Sequence, residues 1–552
     1  MLMVCLLFNV VAQAQFNLPN PILAGFYPDP AICKVGADYY IVNSTFSYFP
    51  GIPVLHSKDL KNWKQIGNVI DRPSQMDFMG ERVSRGLFAP SINYHNGLFY
   101  VTCTDIDHDG SFVVTAKNPA GPWSNPVLLK EVHGIDPSLF FDKETNKAYI
   151  IYNSDPPENK SLYSGHRTLR MYEFDPINLK TIGEETLLVN GGVDISKKPV
   201  WIEGPHIYKR DGWYYLMAAE GGTAVNHSEV ILRSKNVKGP YVPYDKNPIL
   251  TQRHLDPNRK NPITSTGHAD LVEGPDGKTY AVFIAVRPYE GDFYNTGRET
   301  FIAPVKWENG WPIINPDNKE VQYQYPVTWK EEKDAMALPL NGNFSYKLDF
   351  KDSLNSQFLF LRTYNPLWYT LNQSTGSLTM KLLPETAMGN GNPAFIGKRQ
   401  QHLTCEASTA LKFSAKAENE KAGLMIFQNE THFYFLCKSI VAGKAVVQLF
   451  KANSTTNETD LLKEEVLADA TAEIFLKISA EKEKYSFWYG YEENNWKPLA
   501  KDLDGKYLST RVAGGFVGSL FAMYATSNGK QSDNTATFNW FGYSGNDETF
   551  NP

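Results

Sequence analysis

From Asp29 to Pro312 the chain alternates apolar and polar positions with a period of two, in short runs broken by turn-forming residues. Runs such as Tyr208 followed by Trp213-Tyr214-Tyr215-Leu216 read as strands and lack the 3.6-residue period of a helical solenoid. The runs form a unit that recurs five times: DPAICKVGADYYIVNS from Asp29, APSINYHNGLFYVTCT from Ala89, DPSLFFDKETNKAYIIYNS from Asp136, EGPHIYKRDGWYYLMAAE from Glu203 and GHADLVEGPDGKTYAVFIAV from Gly267. Each unit has a polar or small start, an apolar strand, a turn and a second strand rich in aromatics. Turn residues are His95-Asn96-Gly97, Arg210-Asp211-Gly212 and Pro275-Asp276-Gly277. Asn-Gly and Asp-Gly accept the positive φ values of a tight hairpin. One or two outer strands follow, as in VLHSKDLKNWKQIG (54–67) and RETFIAPVKWENGWP (298–312). Five such four-stranded units predict a five-bladed β-propeller over residues 15–315.

Residues 316–340 are polar and read as a linker. From residue 341 the propeller repeat stops and short alternating strands take over, among them QFLFLRTY (357–364), STALKFSAKA (408–417), HFYFLCKS (432–439), AEIFLKISA (472–480) and FVGSLFAMY (516–524). This rhythm predicts a β-sandwich of the jelly-roll, concanavalin-like kind over 341–552, so the whole chain is expected to be all-β.

A length of 552 residues calls for at least two domains, and 42% hydrophobic with 21% charged residues describes a folded chain. The aromatic share is 13%, enough to supply both cores and stacking surfaces for sugar rings. A formal charge of −6 argues against a broad nucleic-acid-binding face. Residues 1–14 are apolar and end in Ala12-Gln13-Ala14, the pattern of a secretion signal cleaved before Gln15, which predicts a secreted or periplasmic protein. No other segment is long and apolar enough for a bilayer span. Cys33, Cys103, Cys405 and Cys437 are far apart and read as core thiols rather than a disulfide framework.

Propeller geometry turns the repeat into chemistry. The first strand of each blade lines the central channel, so the residues that start successive units meet at one mouth. An isolated Asp-Pro is an ordinary turn signal, but acids at the same phase of three blades place Asp29, Asp136 and Glu203 in one pocket, with His268 beside them. Two carboxyls facing a polar substrate can divide proton duties, one charged to activate water and one protonated to deliver a proton to a leaving oxygen. A third acid raises the donor's pKa by like-charge repulsion. Symmetry alone leaves open which acid does what. His268, with Asp270 two residues on, reads either as a structural hydrogen-bonding group or as a holder of water or a metal ion. Arg287 is expected on a loop at the same mouth, holding sugar hydroxyls or a carboxylate, whereas Arg298 and Glu299 read as an internal ion pair. Phe46, Phe88 and Trp201 are candidate stacking platforms.

At these residues the chain resembles glycoside hydrolase family 43, propeller enzymes acting on β-D-xylosides and α-L-arabinofuranosides. The matching stretches are NPILAGFYPDPAI (20–32), TFSYFPGIPVLHSKDLKNW (45–63), GIDPSLFFD (134–142), IEGPHIYK (202–209), TGHADLV (266–272) and NTGRETF (295–301). The resemblance extends over the C-terminal sandwich. It implies Asp29 as general base, Glu203 as general acid and Asp136 as the residue that orients the acid and keeps its pKa high. It also implies inversion at the anomeric carbon, Phe46 and Arg287 as contacts of the terminal sugar, and His268 as a central histidine below the pocket. Phe88 stands where many related xylosidases carry Trp. Phe516, in GGFVGSLF, is the candidate for an aromatic that the second domain lends to the pocket rim. The implied activity is exo-acting release of terminal xylose from β-1,4-xylo-oligosaccharides or of arabinofuranosyl groups from hemicellulose fragments. No cofactor is required. A structural Ca²⁺, with His268 as a ligand, and a homo-oligomeric state are left open, as is the choice between xylose and arabinose. Two other readings stand beside this one: a retaining, fructosidase-like propeller enzyme and a non-catalytic, calcium-dependent carbohydrate-binding protein.

Overall fold

The computed structural model describes residues 16–332, 337–364 and 366–551. The expected leader at 1–14 and part of the expected linker lie outside the described residues.

The propeller consists of five antiparallel blades, each of four strands except blade four, where Leu250–Thr251 adds a fifth by pairing with Ser228–Ser234. Their inner strands are Ala31–Val35, Ser91–His95, Ile135–Asp142, Glu203–Arg210 and Thr264–Glu273. Each inner strand is joined to its neighbour by a hairpin whose turn residues have the left-handed φ that the sequence signals require: Asn96 and Gly97 at 48° and 82°, Asp211 and Gly212 at 50° and 70°. The ring is closed by the segment before blade one. Ile22 and Leu23 donate their N–H groups to the Thr300 carbonyl of blade five, and Tyr27 donates to that of Arg298. This closure brings Asp29 alongside Arg298.

The sandwich is built from two eight-stranded antiparallel sheets. One of them is completed by the propeller: Tyr48–Phe49, from the loop after the first hairpin, pairs with Leu359–Leu361 through Phe49 against Phe360 and Tyr48 against Leu361. A single apolar cluster accordingly runs from Val101 and Phe112 of blade two through Phe49 to Phe360, Ile396 and Phe521 of the sandwich. The connection is also anchored to the propeller. Gln324–Val327 pairs with Phe16–Pro19, and the Trp329 indole N–H donates to the Asp59 carbonyl at 3.0 Å. Cys33, Cys103, Cys405 and Cys437 are free thiols. Among the described residues no helix is long and apolar enough to cross a membrane.

Candidate active site

The inner strands break register where they reach the channel mouth. In blade three Ile135 faces Asn153 and Ser138 faces Ile151, which leaves Asp136 and Pro137 bulged. Glu203 and His206 bracket the same irregularity in blade four, and Gly267 and Asp270 in blade five. The first residue inside the break takes a left-handed φ: 55° at Asp136, 58° at Gly204 and 54° at His268, with Asp29 at 52° before the first strand of blade one. A bulge re-aims a side chain out of the pleat, and here it turns these positions into the mouth. The registers also correct the expected phase of the third acid. Asp29, Asp136, Gly204 and His268 are the equivalent positions, and Glu203 enters one residue earlier, at the position of Ile135 and Gly267. The blade-four position has to be glycine, because a Cβ there would lie 2.8 Å from His268 Nε2.

These side chains line a cavity of about 310 Å³ together with Phe46, Phe88, Trp201, Arg298 and Phe516. Asp29 is nearly fully buried and is held by Arg298, whose Nη1 donates to Oδ1 at 2.7 Å and Nη2 to Oδ2 at 3.3 Å, and by the Ser44 hydroxyl at 2.6 Å. Burial alone would raise its pKa. The Arg298 charge, His268 and these hydrogen bonds outweigh burial and hold it below the ordinary carboxylate value. Asp136 has weaker support, one N–H from Gly204 at 3.1 Å. Burial and the negative charge of Asp29 push it up to about 7. Glu203 is pushed well above its ordinary value by burial and then by the charges of Asp136 and Asp29, against which Arg298 and a hydrogen bond from Trp201 act only in part. At neutral pH the pocket therefore holds one charged carboxylate and one protonated carboxylic acid. Between them in character stands Asp136, which titrates near neutrality.

One wall is aromatic and crosses the domain boundary. The Phe46 ring stacks on Phe516 of the sandwich at 5.8 Å and 18°, and Phe88 meets both rings edge-on at 5.5 and 5.9 Å. Phe516 is set by its own N–H, which donates to Ser84 Oγ at 3.0 Å, and by the approach of two glycines. A Cβ on Gly297 would lie 2.7 Å from the Gly518 backbone. Ser519 N–H also donates to the Asn295 carbonyl at 2.8 Å. The loop carrying Phe516 thus docks on the propeller segment that leads into Arg298.

Of the residues singled out from sequence, Asp29, Asp136, Glu203, His268, Phe46, Phe88, Trp201 and Phe516 come together in this cavity, and Arg287 does not. Arg287 lies 1% exposed at the seam between the domains, where it donates to Glu299 at 2.7 and 2.9 Å, to Asp547 at 2.7 Å and to the Gln401 carbonyl at 3.0 Å. The expected pairing of Arg298 with Glu299 is corrected with it, since Arg298 belongs to Asp29. Adjacent residues at a strand start point to opposite faces, so Arg298 and Glu299 cannot share one environment; that alternation is the signal that would have separated them. Trp201 precedes the blade-four strand rather than lying on it, with the Arg167 guanidinium 4.8 Å from its ring. His268 Nδ1 stands 3.9 Å from Asp29 Oδ1, and burial lowers its pKa to about 4, leaving it neutral. Its surroundings do not suit a cation. Asp29 is taken by Arg298, and Asp270 accepts from the Ile32 N–H and the Tyr208 hydroxyl. Ser44, Val200 and Thr223 complete the surroundings without having been marked by the sequence.

Comparison with known proteins places this geometry. Residues 18–312 match the model of glycosyl hydrolases family 43, and residues 347–544 match that of the β-xylosidase C-terminal concanavalin A-like domain. A xylosidase/arabinosidase of Butyrivibrio fibrisolvens is 38% identical over 95% of this chain and 98% of its own length. A non-reducing-end α-L-arabinofuranosidase of Bacteroides ovatus is 37% identical over 97% of this chain and 96% of its own. Among solved structures, a family 43 protein from a capybara gut metagenome superposes with a TM-score of 0.85 at 40% identity, over 92% of this chain and 95% of that one.

Proposed function

Since this chain belongs to glycoside hydrolase family 43, we propose that it is an exo-acting, inverting glycosidase that removes terminal pentosyl groups, β-D-xylosyl from xylo-oligosaccharides or α-L-arabinofuranosyl from arabinosylated hemicellulose fragments. The observation that carries this reading is the opposite displacement of two carboxyls in one pocket, Asp29 downward and Glu203 upward. Asp29, ionised and held by Arg298 and Ser44, takes the proton of the attacking water. Glu203, protonated, gives its proton to the departing glycosidic oxygen. Asp136 supplies the negative charge that keeps Glu203 protonated. Inverting glycosidases leave about 6.5–9.5 Å between base and acid for that water.

The aromatic wall supports exo action. Phe516, contributed by the sandwich, closes one side of the cavity against Phe46 and Phe88 and leaves the space of a chain end rather than of an open cleft. The pentose assignment rests on the relatives from Butyrivibrio and Bacteroides, named for xylosidase and arabinofuranosidase activities.

The test is a proton NMR time course on p-nitrophenyl β-D-xylopyranoside and p-nitrophenyl α-L-arabinofuranoside. The first-formed sugar should carry the inverted anomeric configuration. A retained first product would remove the mechanism and favour a fructosidase-like one, and no turnover of either pentoside would remove the substrate class. Glu203→Ala should spare activated leaving groups and lose poor ones, because an activated leaving group needs little protonation.

A further inference from the structure

Behind the aromatic wall a second set of ionisable side chains converges. Glu81 lies in the loop before blade two, Asp105 ends that blade's second strand, Leu98–Asp105, and His108 sits in the turn that follows. One ligand atom from each residue lies within 4.8 Å of the other two. His108 Nδ1 contacts Glu81 Oε1 and stands 4.0 Å from Asp105 Oδ2. Glu81 and Asp105 are 2% and 1% exposed. Apart from these contacts with His108 and Asp105, no hydrogen-bond donor reaches either carboxylate oxygen of Glu81. The arginines nearby are committed to other partners. Arg85 is bound to Asp107, and Arg362 donates to the Glu430 carboxylate and to the carbonyls of Glu81 and Gly391. Two buried carboxyls thus face one another beside an imidazole with no arginine or lysine paired to either among the described residues, and their joint negative charge is costly unless a proton or a cation is shared between them.

We propose that Glu81, Asp105 and His108 bind one divalent transition-metal ion of the zinc class. Two carboxylate oxygens and a ring nitrogen are a three-ligand set that Zn²⁺ accepts, at about 2.0–2.2 Å from each ligand atom. A nitrogen donor and so few oxygens disfavour Ca²⁺, which takes about six to eight oxygen ligands. His108 is the open side of the site, with 43% of its side chain exposed, and offers both an entry path and room for a water as fourth ligand.

The role of the ion is structural. Ile106 N–H donates to the Gly86 carbonyl and Phe88 N–H to that of Thr104, so the loop from Glu81 to Phe88 already lies along the Asp105–His108 turn. A metal would pin the two together at the base of the loop that presents Ser84 to the Phe516 N–H and Phe88 to the cavity. The competing occupant is a proton shared by Glu81 and Asp105.

Titration of ZnCl₂ into the full-length, EDTA-treated chain, followed by calorimetry and by elemental analysis after dialysis, decides between them. We expect one Zn²⁺ per chain and a rise in Tm with Zn²⁺ in excess. His108→Ala, at an exposed position, should weaken binding by at least about tenfold, and Glu81→Gln should abolish it. His133→Ala, an exposed histidine elsewhere, should leave it unchanged. Absence of binding in the unaltered chain, affinity undiminished in His108→Ala, or equal affinity for CaCl₂ would each overturn the proposal.

Discussion

Two buried arginines mark two regions of this molecule that use the same side chains to opposite ends. At the channel mouth, Arg298 serves one carboxylate, Asp29, while Asp136 and Glu203 crowd the same cavity with little besides a Gly204 N–H and a Trp201 hydrogen bond. At the seam between propeller and sandwich, Arg287 serves Glu299 and Asp547, and backbone donors supply the rest: Gly25 to Glu299 at 2.6 Å, Leu403 and Thr404 to Asp547 at 3.1 and 2.8 Å. Burial still lifts the Glu299 pKa, but its oxygens are occupied. The seam therefore binds two domains, and the mouth is left with carboxyls whose protons are free to move. What separates structure from chemistry here is that both acids at the seam are supplied with donors, whereas at the mouth Asp29 alone is and Asp136 and Glu203 are left nearly bare.

The sharpest way to break this contrast is at Asp29. Asp29→Asn should cut kcat on either pentoside by about 10³–10⁴-fold with Tm nearly unchanged, measured by steady-state kinetics and scanning calorimetry. A comparable fall in Tm would mean that the mouth, too, is chiefly structural. Arg287→Met should do the reverse. Leaving Glu299 and Asp547 buried and unpaired costs about 3–5 kcal/mol, read as a lower Tm, while turnover by the folded fraction stays within a few-fold. Lost activity at unchanged Tm would move Arg287 into the pocket's machinery after all.

Asp136→Asn lies between these extremes. It removes the charge that supports the Glu203 proton and should lower kcat by about a hundredfold. It should also stabilise the fold. A carboxyl whose native pKa is raised to about 7 destabilises the native state progressively as pH rises from its unfolded value, near 4, through 7. The gain in Tm should therefore be absent at pH 4 and complete at pH 8. A gain of equal size at both pH values would detach it from titration. The smallest effect is expected from Phe516→Ala, about a tenfold rise in KM with kcat little changed, since the ring contributes apolar contact on one side of the cavity. A larger loss in kcat than in KM would show that the sandwich shapes the reacting geometry and not only the binding of the sugar.

Legibility in the sequence followed the range of the interaction. The blades were readable because Asn-Gly and Asp-Gly turns and a period of two are local, and the acids were readable because a propeller brings equivalent positions together. The one-residue offset of Glu203 was missed because the units were aligned on their acids; aligned on Pro30, Pro137 and Pro205 they set Gly204 against Asp29 and Asp136, as the register breaks in blades three and four do. Arg298 and Arg287 were exchanged for a related reason. Their partners, Asp29 and Asp547, lie far away in the chain, and only ring closure and domain docking bring them into reach. The pairing of Tyr48–Phe49 with Leu359–Leu361 had no sequence signal, because two residues are too few to show a period.

That short pairing has a consequence for how such a protein is made and inherited. The sandwich cannot finish one of its sheets until the propeller's first blade has presented Tyr48 and Phe49, so the second half of the chain, although last to leave the ribosome, waits on a segment synthesised long before it. A gene fragment ending after the fifth blade would encode a propeller with a bared strand edge and an open pocket, and one starting at residue 341 would encode a sheet lacking its last strand. Recombination that parted the two halves would thus leave one sheet of the sandwich a strand short, and the linker between them marks a boundary in the sequence that the folded molecule does not share.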